Sequence, residues 1–126
     1  MNLKYIILLF IVILALFLYL MYRYAIDSPY RINSAYAKQL IHEKKIDVIL
    51  DVRTNVERAT LGHYPGSVHI QGSELDDLMP KYYPDRNIRI LAYCNSGQRA
   101  RIATEKLHAL GYVNAVYIAT THVSLM

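Results

Sequence analysis

The sequence predicts an α/β domain, with a central, mostly parallel sheet flanked by helices, preceded by one N-terminal transmembrane helix. Three observations lead there. Short apolar, β-branched stretches alternate with segments of helical apolar spacing between residues 35 and 118, and that alternation belongs to parallel-sheet α/β domains. An uncharged run of 18 residues, Tyr5 to Tyr22, stands apart from everything after it. At 126 residues the chain has room for one domain beyond that run. The expected division is a transmembrane anchor over 1–24, a juxtamembrane linker over 25–31 and the domain over 32–126.

The elements follow in order. A membrane span needs about 20 apolar residues. The Tyr5–Tyr22 run is bracketed by Lys4 and Arg23, with Tyr5, Tyr19, Tyr22 and Tyr24 at its ends, as headgroup-level anchors favour. A cleaved signal peptide has a shorter apolar core and a small-residue exit, and Met21 to Ile26 offers no such pair. Ser28-Pro29 marks a stop. Asn33 or Ser34 can cap a helix over 35–44, with Tyr36, Ala37, Leu40 and Ile41 on one face. Residues 46–52 read as a buried strand, followed by a helical turn over 56–60. Gly62 and Pro65-Gly66 signal a turn, and 68–70 a short strand. A short helix over 74–79 is expected to end at Pro80. Residues 84–87 are a loop, and 88–93 form a third apolar strand. The apolar spacing of Ile102, Ala103, Leu107 and Leu110 predicts a helix over 100–110, with Gly111 as its left-handed terminal residue. Residues 113–118 are the last strand.

Charge excludes some function classes. The net charge is +4, but residues 32–126 carry 11 basic and 9 acidic side chains. That balance leaves no footprint for nucleic acid. Basic residues are more frequent after the apolar run than before it, which places the domain on the cytosolic side of a single-pass topology. Cys94 is the single cysteine, so neither an intramolecular disulfide nor a Cys-based metal site can form. No metal or cofactor is expected.

Cys94 closes an apolar strand and opens the polar stretch Asn95-Ser96-Gly97-Gln98-Arg99, after which a helix begins. Ligand sites in open α/β sheets lie beyond the carboxyl ends of the strands. Inward-turned N–H groups of such a loop, with a helix N-terminus, make a nest for a negatively charged atom. They favour the thiolate, the nucleophilic form of cysteine. Gly97 allows the loop to curl, and Ser96 and Gln98 can add donors. The alternative is a buried thiol acting only as a small apolar side chain.

Three stretches resemble the rhodanese family: Leu50-Asp51-Val52-Arg53 with Glu57; Gly62-His63-Tyr64-Pro65-Gly66-Ser67-Val68-His69-Ile70; and Tyr93-Cys94-Asn95-Ser96-Gly97-Gln98-Arg99-Ala100, followed by a helix and Gly111-Tyr112. The resemblance implies a rhodanese-like fold and sulfur transfer. Cys94 takes a sulfane sulfur from thiosulfate or a persulfide, carries it as a persulfide and passes it to a thiol or cyanide-like acceptor. It also implies that Asn95 to Arg99 form the substrate-binding loop, and that Asp51, Arg53, Glu57 and His63 support it. Arg99 has two readings, a site for an anionic donor or an ion pair to Glu57 or Asp51. His63 is read as packing and hydrogen bonding in its turn rather than as a general base.

Three departures from the family pattern are expected to matter. Asn95 and Ser96 stand where members active on thiosulfate carry Arg or Lys, which favours a protein or alkyl persulfide as donor. The Gly-Gly pair usual near positions 119–120 is missing, which leaves the pocket rim open. Tyr64 replaces an Ile. Related phosphatases and arsenate reductases use Cys-x5-Arg to hold a tetrahedral oxyanion, whereas Cys94 and Arg99 give Cys-x4-Arg, a smaller cradle. A recruitment module without turnover is the other class to distinguish.

Overall fold

The computed structural model describes residues 2–126. The first element is α1 (Leu3–Ile26), capped by Asn2, whose side chain accepts from the Lys4 amide at 3.0 Å. Its surface from Leu3 to Leu20 is exposed throughout. It is long and apolar enough to cross a membrane, a test that a signal sequence also meets.

The domain consists of α2 (Ser34–His42), β1 (Val48–Asp51), α3 (Asn55–Leu61), β2 (Val68–His69), α4 (Leu75–Tyr82), β3 (Ile90–Tyr93), α5 (Gln98–Ala109) and β4 (Ala115–Tyr117). Short 3-10 turns lie at Gly72–Glu74 and His122–Leu125. The sheet order is β2-β1-β3-β4, with every pairing parallel. After β2 the chain crosses to the other side of β1 to lay down β3. The switch point, where such sheets hold ligands, therefore lies between β1 and β3. Asp51 and Tyr93 are register partners at that edge, so Val52-Arg53 and Cys94-Asn95 leave the sheet side by side.

Strand alternation divides the core into two layers. Ile90, Ala92 and Cys94 face one side, with Leu50, Leu75, Met79, Ala103 and Leu107. Leu91 and Tyr93 face the other, with Ala37, Ile118 and Leu125. Cys94 is thus the third member of an inward-facing strand series.

The structure departs from the sequence expectations at four places. Pro80 lies inside α4 rather than ending it. The ring removes the N–H that would bond the Asp76 carbonyl, but Asp76 is exposed, so water can satisfy that oxygen. Burial of Leu75 and Met79 on one face carries the helix on to Tyr82. Second, α5 begins at Gln98, two residues before the expected start at 100, behind Gly97 at φ 105°. Third, the stretch 25–31 is packed on the domain. Ala25 is buried, and residues 30–32 extend the sheet alongside β4 through Tyr117 N–H to Tyr30 O at 3.0 Å and Ile32 N–H to Tyr117 O at 2.9 Å. This covers an edge that would otherwise present unpaired backbone groups. Fourth, the final residues form a cover: the His122–Leu125 turn buries His122 and Leu125 against the Tyr93 side of the sheet. The expected left-handed residue after α5 is present, with Gly111 at φ 98°.

Candidate active site

The loop after β3 curls around the Cys94 sulfur. The N–H groups of Gly97 and Ala100 donate to Sγ at 3.1 and 3.4 Å. The first comes from the curled loop and the second from the opening turn of α5, where N–H groups lack intrahelical acceptors. Both direct partial positive charge at the sulfur. Gly97 is required here by backbone and by space. Its φ of 105° is a left-handed conformation, and a Cβ there would meet the Cα and Cβ of Ala119 at 2.8 Å. Cys94 is only 1% exposed.

The polar side chains of the loop turn away from the sulfur. Asn95 is held from both ends: its Nδ2 donates to Glu57 at 2.7 Å and its Oδ1 accepts from Arg53 Nη1 at 3.3 Å. Ser96 donates to Gln98 Oε1, and Gln98 Nε2 donates to the Met21 carbonyl at 3.3 Å. Arg99 makes a bidentate pair with Glu57 at 2.7 and 2.8 Å. Of the two expectations for Arg99, the geometry is that of the ion pair.

Glu57 ties this loop to α3. It completes a capping box with Thr54, so one carboxylate closes a helix N-terminus while holding Asn95 and Arg99. Hydrogen bonding from Arg99 keeps Glu57 well below the ordinary carboxylate range. Deeper in, Asp51 and Arg53 form a buried pair, 0% and 1% exposed. Asp51 Oδ1 accepts from the Arg53 amide and Nε, both at 3.0 Å. Its Oδ2 accepts from Arg53 Nη2 at 2.9 Å, Arg58 Nη1 at 3.1 Å and the Tyr93 hydroxyl at 3.1 Å. Burial pushes the Asp51 carboxyl up, but its hydrogen bonds to Arg53 and the Arg53 charge outweigh that and leave it lowered. Arg53 Nη2 also donates to the Gly62 carbonyl at 2.6 Å, which pins the turn that contains His63.

His63 itself differs from expectation: it is exposed, and its side chain forms no hydrogen bond among the described residues. The reason is local. Gly62 stands at φ 77°, and the turn is held by its backbone, through Arg53 and through the Tyr64 amide, which donates to the Tyr93 hydroxyl at 3.2 Å. Two other imidazoles do the inner work. His69 Nε2 lies 2.6 Å from Arg53 O. His122 is buried behind Gly62 and Tyr93, and its Nδ1 is the one buried side-chain polar atom without a partner among the described residues. Burial, with the Arg53 charge, holds His122 below the ordinary imidazole value.

Beside the loop, Val52, Thr54, Gln71, Ser73, Arg99 and Lys106 contribute to a cleft of about 260 Å³. Cys94 does not line it. The sequence reading also missed Ala100 as a sulfur donor, Arg58 as a second partner of Asp51, and Ala25 and Ala119 as the residues packed on Gly97. The position of Ala100 at the start of the helix after the loop was the available signal for the first. For the small residues no signal existed.

The profile of the rhodanese-like domain family matches residues 33–122. The chain belongs to the rhodanese-like domain family. Its fold is similar to that of a human single-domain sulfurtransferase, at 23% identity and a TM-score of 0.64, covering 77% of this chain and 95% of the other. A rhodanese-related protein from Thermoplasma volcanium is 30% identical with a TM-score of 0.58, over 75% and 88% of the two chains. A protein from Rhodopseudomonas palustris, described as a possible tyrosine phosphatase, is 23% identical with a TM-score of 0.68, over 83% and 85%. No curated protein matches the chain.

Proposed function

We propose that this rhodanese-like chain is a membrane-anchored sulfurtransferase or persulfide carrier that uses Cys94. The observation that carries the reading is the pair of N–H donors from Gly97 and Ala100 on Sγ, in a loop whose other side chains are braced by Glu57 and Arg53. In the first step the Cys94 thiolate attacks the outer sulfur of thiosulfate or of a persulfide. A Cys94 S–S bond forms, the donor S–S bond breaks, and sulfite or a thiolate leaves with the electron pair. An acceptor thiolate or cyanide then attacks the outer sulfur, and Cys94 leaves as thiolate. The two amides stabilise sulfur charge at both ends of this cycle. With Arg99 occupied by Glu57, no free cation of the loop faces a dianionic donor, which favours a persulfide over thiosulfate. Because the thiol is 1% exposed, turnover requires the loop to open at Ser96, its exposed apex.

That same burial supports a second reading, a recruitment module in which Cys94 only packs. A phosphatase is disfavoured by Cys-x4-Arg and by the engagement of Arg99 with Glu57. The deciding experiment uses the full chain in detergent or lipid nanodiscs, incubated with thiosulfate or an alkyl persulfide. Mass spectrometry is expected to show a gain of one sulfur atom on Cys94 that cyanide removes, and none in Cys94→Ser. A folded protein that gains no sulfur from any donor is the recruitment module. Release of phosphate from aryl phosphates would restore the phosphatase.

A further inference from the structure

The end of α1 is built into the loop that holds Cys94. A helix leaves its last four carbonyls without intrahelical partners, and here each has one. Asp27 N–H donates to Arg23 O at 2.9 Å. Arg101 Nη1 donates to Tyr24 O at 2.6 Å, the Tyr117 hydroxyl to Ala25 O at 2.6 Å, and Arg31 Nε to Ile26 O at 3.2 Å. Arg101 also lies over the Tyr24 ring at 3.9 Å, and Gln98 reaches the Met21 carbonyl. Ala25 is 1% exposed and packs on Gly97, where an added Cβ would come within 3.1 Å of its own. The apolar helix surface before this joint is nowhere buried in the domain. The joint is therefore stiff, and it fixes how far the sulfur stands from the apolar helix.

That distance is short. The Tyr5–Tyr22 run rises roughly 27 Å at 1.5 Å per residue, against a hydrocarbon core about 30 Å thick. It fills the core with no length to spare, so Tyr22 and Arg23 mark the boundary. Ala25 lies about 4.5 Å beyond Tyr22, and the headgroup layer is roughly 5–7 Å deep on each side. Ala25 and the Gly97 it touches fall inside that layer, and Gly97 N–H is 3.1 Å from the Cys94 sulfur.

We infer that Cys94 operates at the depth of the lipid headgroups and passes its sulfur to a thiol carried at the bilayer surface, rather than to a freely soluble one. The inference rests on the reading of Cys94 as a persulfide carrier and of α1 as a span. The surface thiolate attacks the outer sulfur of the Cys94 persulfide. A new S–S bond forms on the acceptor, the Cys94 bond breaks, and its electron pair leaves on Sγ, so no external oxidant or reductant is needed.

Two measurements on the full chain in nanodiscs test this. Cys94 is the single cysteine, so the double variants C94S/S96C and C94S/N87C each accept one nitroxide label. One label is at the loop apex, and the other is in the exposed loop before β3, at the opposite end of the sheet. The label at 96 is expected to be shielded from a water-soluble nickel chelate relative to the label at 87. Equal accessibility at both positions overturns the inference. For transfer, the wild-type persulfide is offered a thiol on a phospholipid headgroup, the same thiol on a spacer about five times longer, and the same thiol free in solution. Effective concentration falls as about the −3/2 power of tether length, so the short-tethered thiol is expected to react roughly tenfold faster than the long-tethered one. Equal rates for all three overturn the inference while leaving sulfur transfer standing. Absence of any Cys94 persulfide removes both.

Discussion

Replacing Asp51 by Asn tests whether the buried pair beneath the loop holds the domain together. Asp51 accepts five hydrogen bonds, from the Arg53 amide and guanidinium, from Arg58 and from Tyr93, at 2.9–3.1 Å. Asn keeps the shape but removes the charge and turns one acceptor into an NH2 that confronts donors. Arg53, 1% exposed, is then a buried cation without a counter-charge. Breaking one side of a buried pair costs about 3–5 kcal/mol, out of a total of about 5–15 kcal/mol for a domain. At about 4–8 °C per kcal/mol for a domain under 100 residues, Tm falls by at least roughly 12 °C. Near-UV circular dichroism of the full chain in detergent reads this, because Tyr93, Tyr112 and Tyr117 are fully buried. The pH dependence has a definite sign. The folded Asp51 carboxyl is lowered, so its contribution is complete above the unfolded value near 3.9 and is lost as pH falls through the folded value. The gap between wild type and D51N therefore narrows below about pH 4. The double variant Asp51→Asn/Arg53→Met is expected to be more stable than D51N alone, because it removes the orphaned cation. A D51N protein that melts within about 4 °C of wild type at pH 7, a loss of about 1 kcal/mol or less, refutes the reasoning.

Gly97→Ala places a Cβ 2.8 Å from Ala119 at a φ of 105°; strain and overpacking together cost about 2 kcal/mol or more, read as a lower Tm and slower persulfide formation. Arg99→Lys keeps the charge but loses the bidentate contact with Glu57. Stability is expected to change by less than about 1 kcal/mol because the pair is partly exposed, while sulfur uptake, timed by mass spectrometry, slows roughly tenfold or more as Glu57, which holds Asn95, loses the contact that fixes it to the start of α5. His122 is buried with its pKa lowered, so the unfolded chain binds the proton more readily. Stability is expected to fall as pH drops below about 6.5, by at most about 1.4 kcal/mol per pH unit, in melting curves from pH 7.5 to 5.5 that His122→Gln flattens.

Much of the fold was legible because its signals are local. Alternation along Ile90–Cys94, the Asn33 cap, Gly111 after α5 and the unbroken Tyr5–Tyr22 run each depend on residues a few places apart. The order of strands and helices, and the placing of Cys94 at a strand end before a helix, followed directly. The same alternation marks Cys94 as inward-facing, which accounts for its burial. The Pro80 expectation failed because a proline cost set by local geometry was overridden by burial of Leu75 and Met79, which depends on the sheet beneath.

What the sequence determined by itself was the succession of elements, the membrane-length helix and the loop from Cys94 to Arg99. What only the tertiary structure decided was which polar groups meet. Glu57 reaches Asn95 and Arg99 across about forty residues of chain, Arg101 caps the Tyr24 carbonyl across 77, and His69 and His122, not His63, stand inside the framework. A charged or imidazole side chain carries no mark of its distant partner, because any opposite charge or free carbonyl brought within reach will serve. The parallel sheet decides which ones are brought there, by setting β1 and β3 side by side and folding the end of α1 back onto the loop they present.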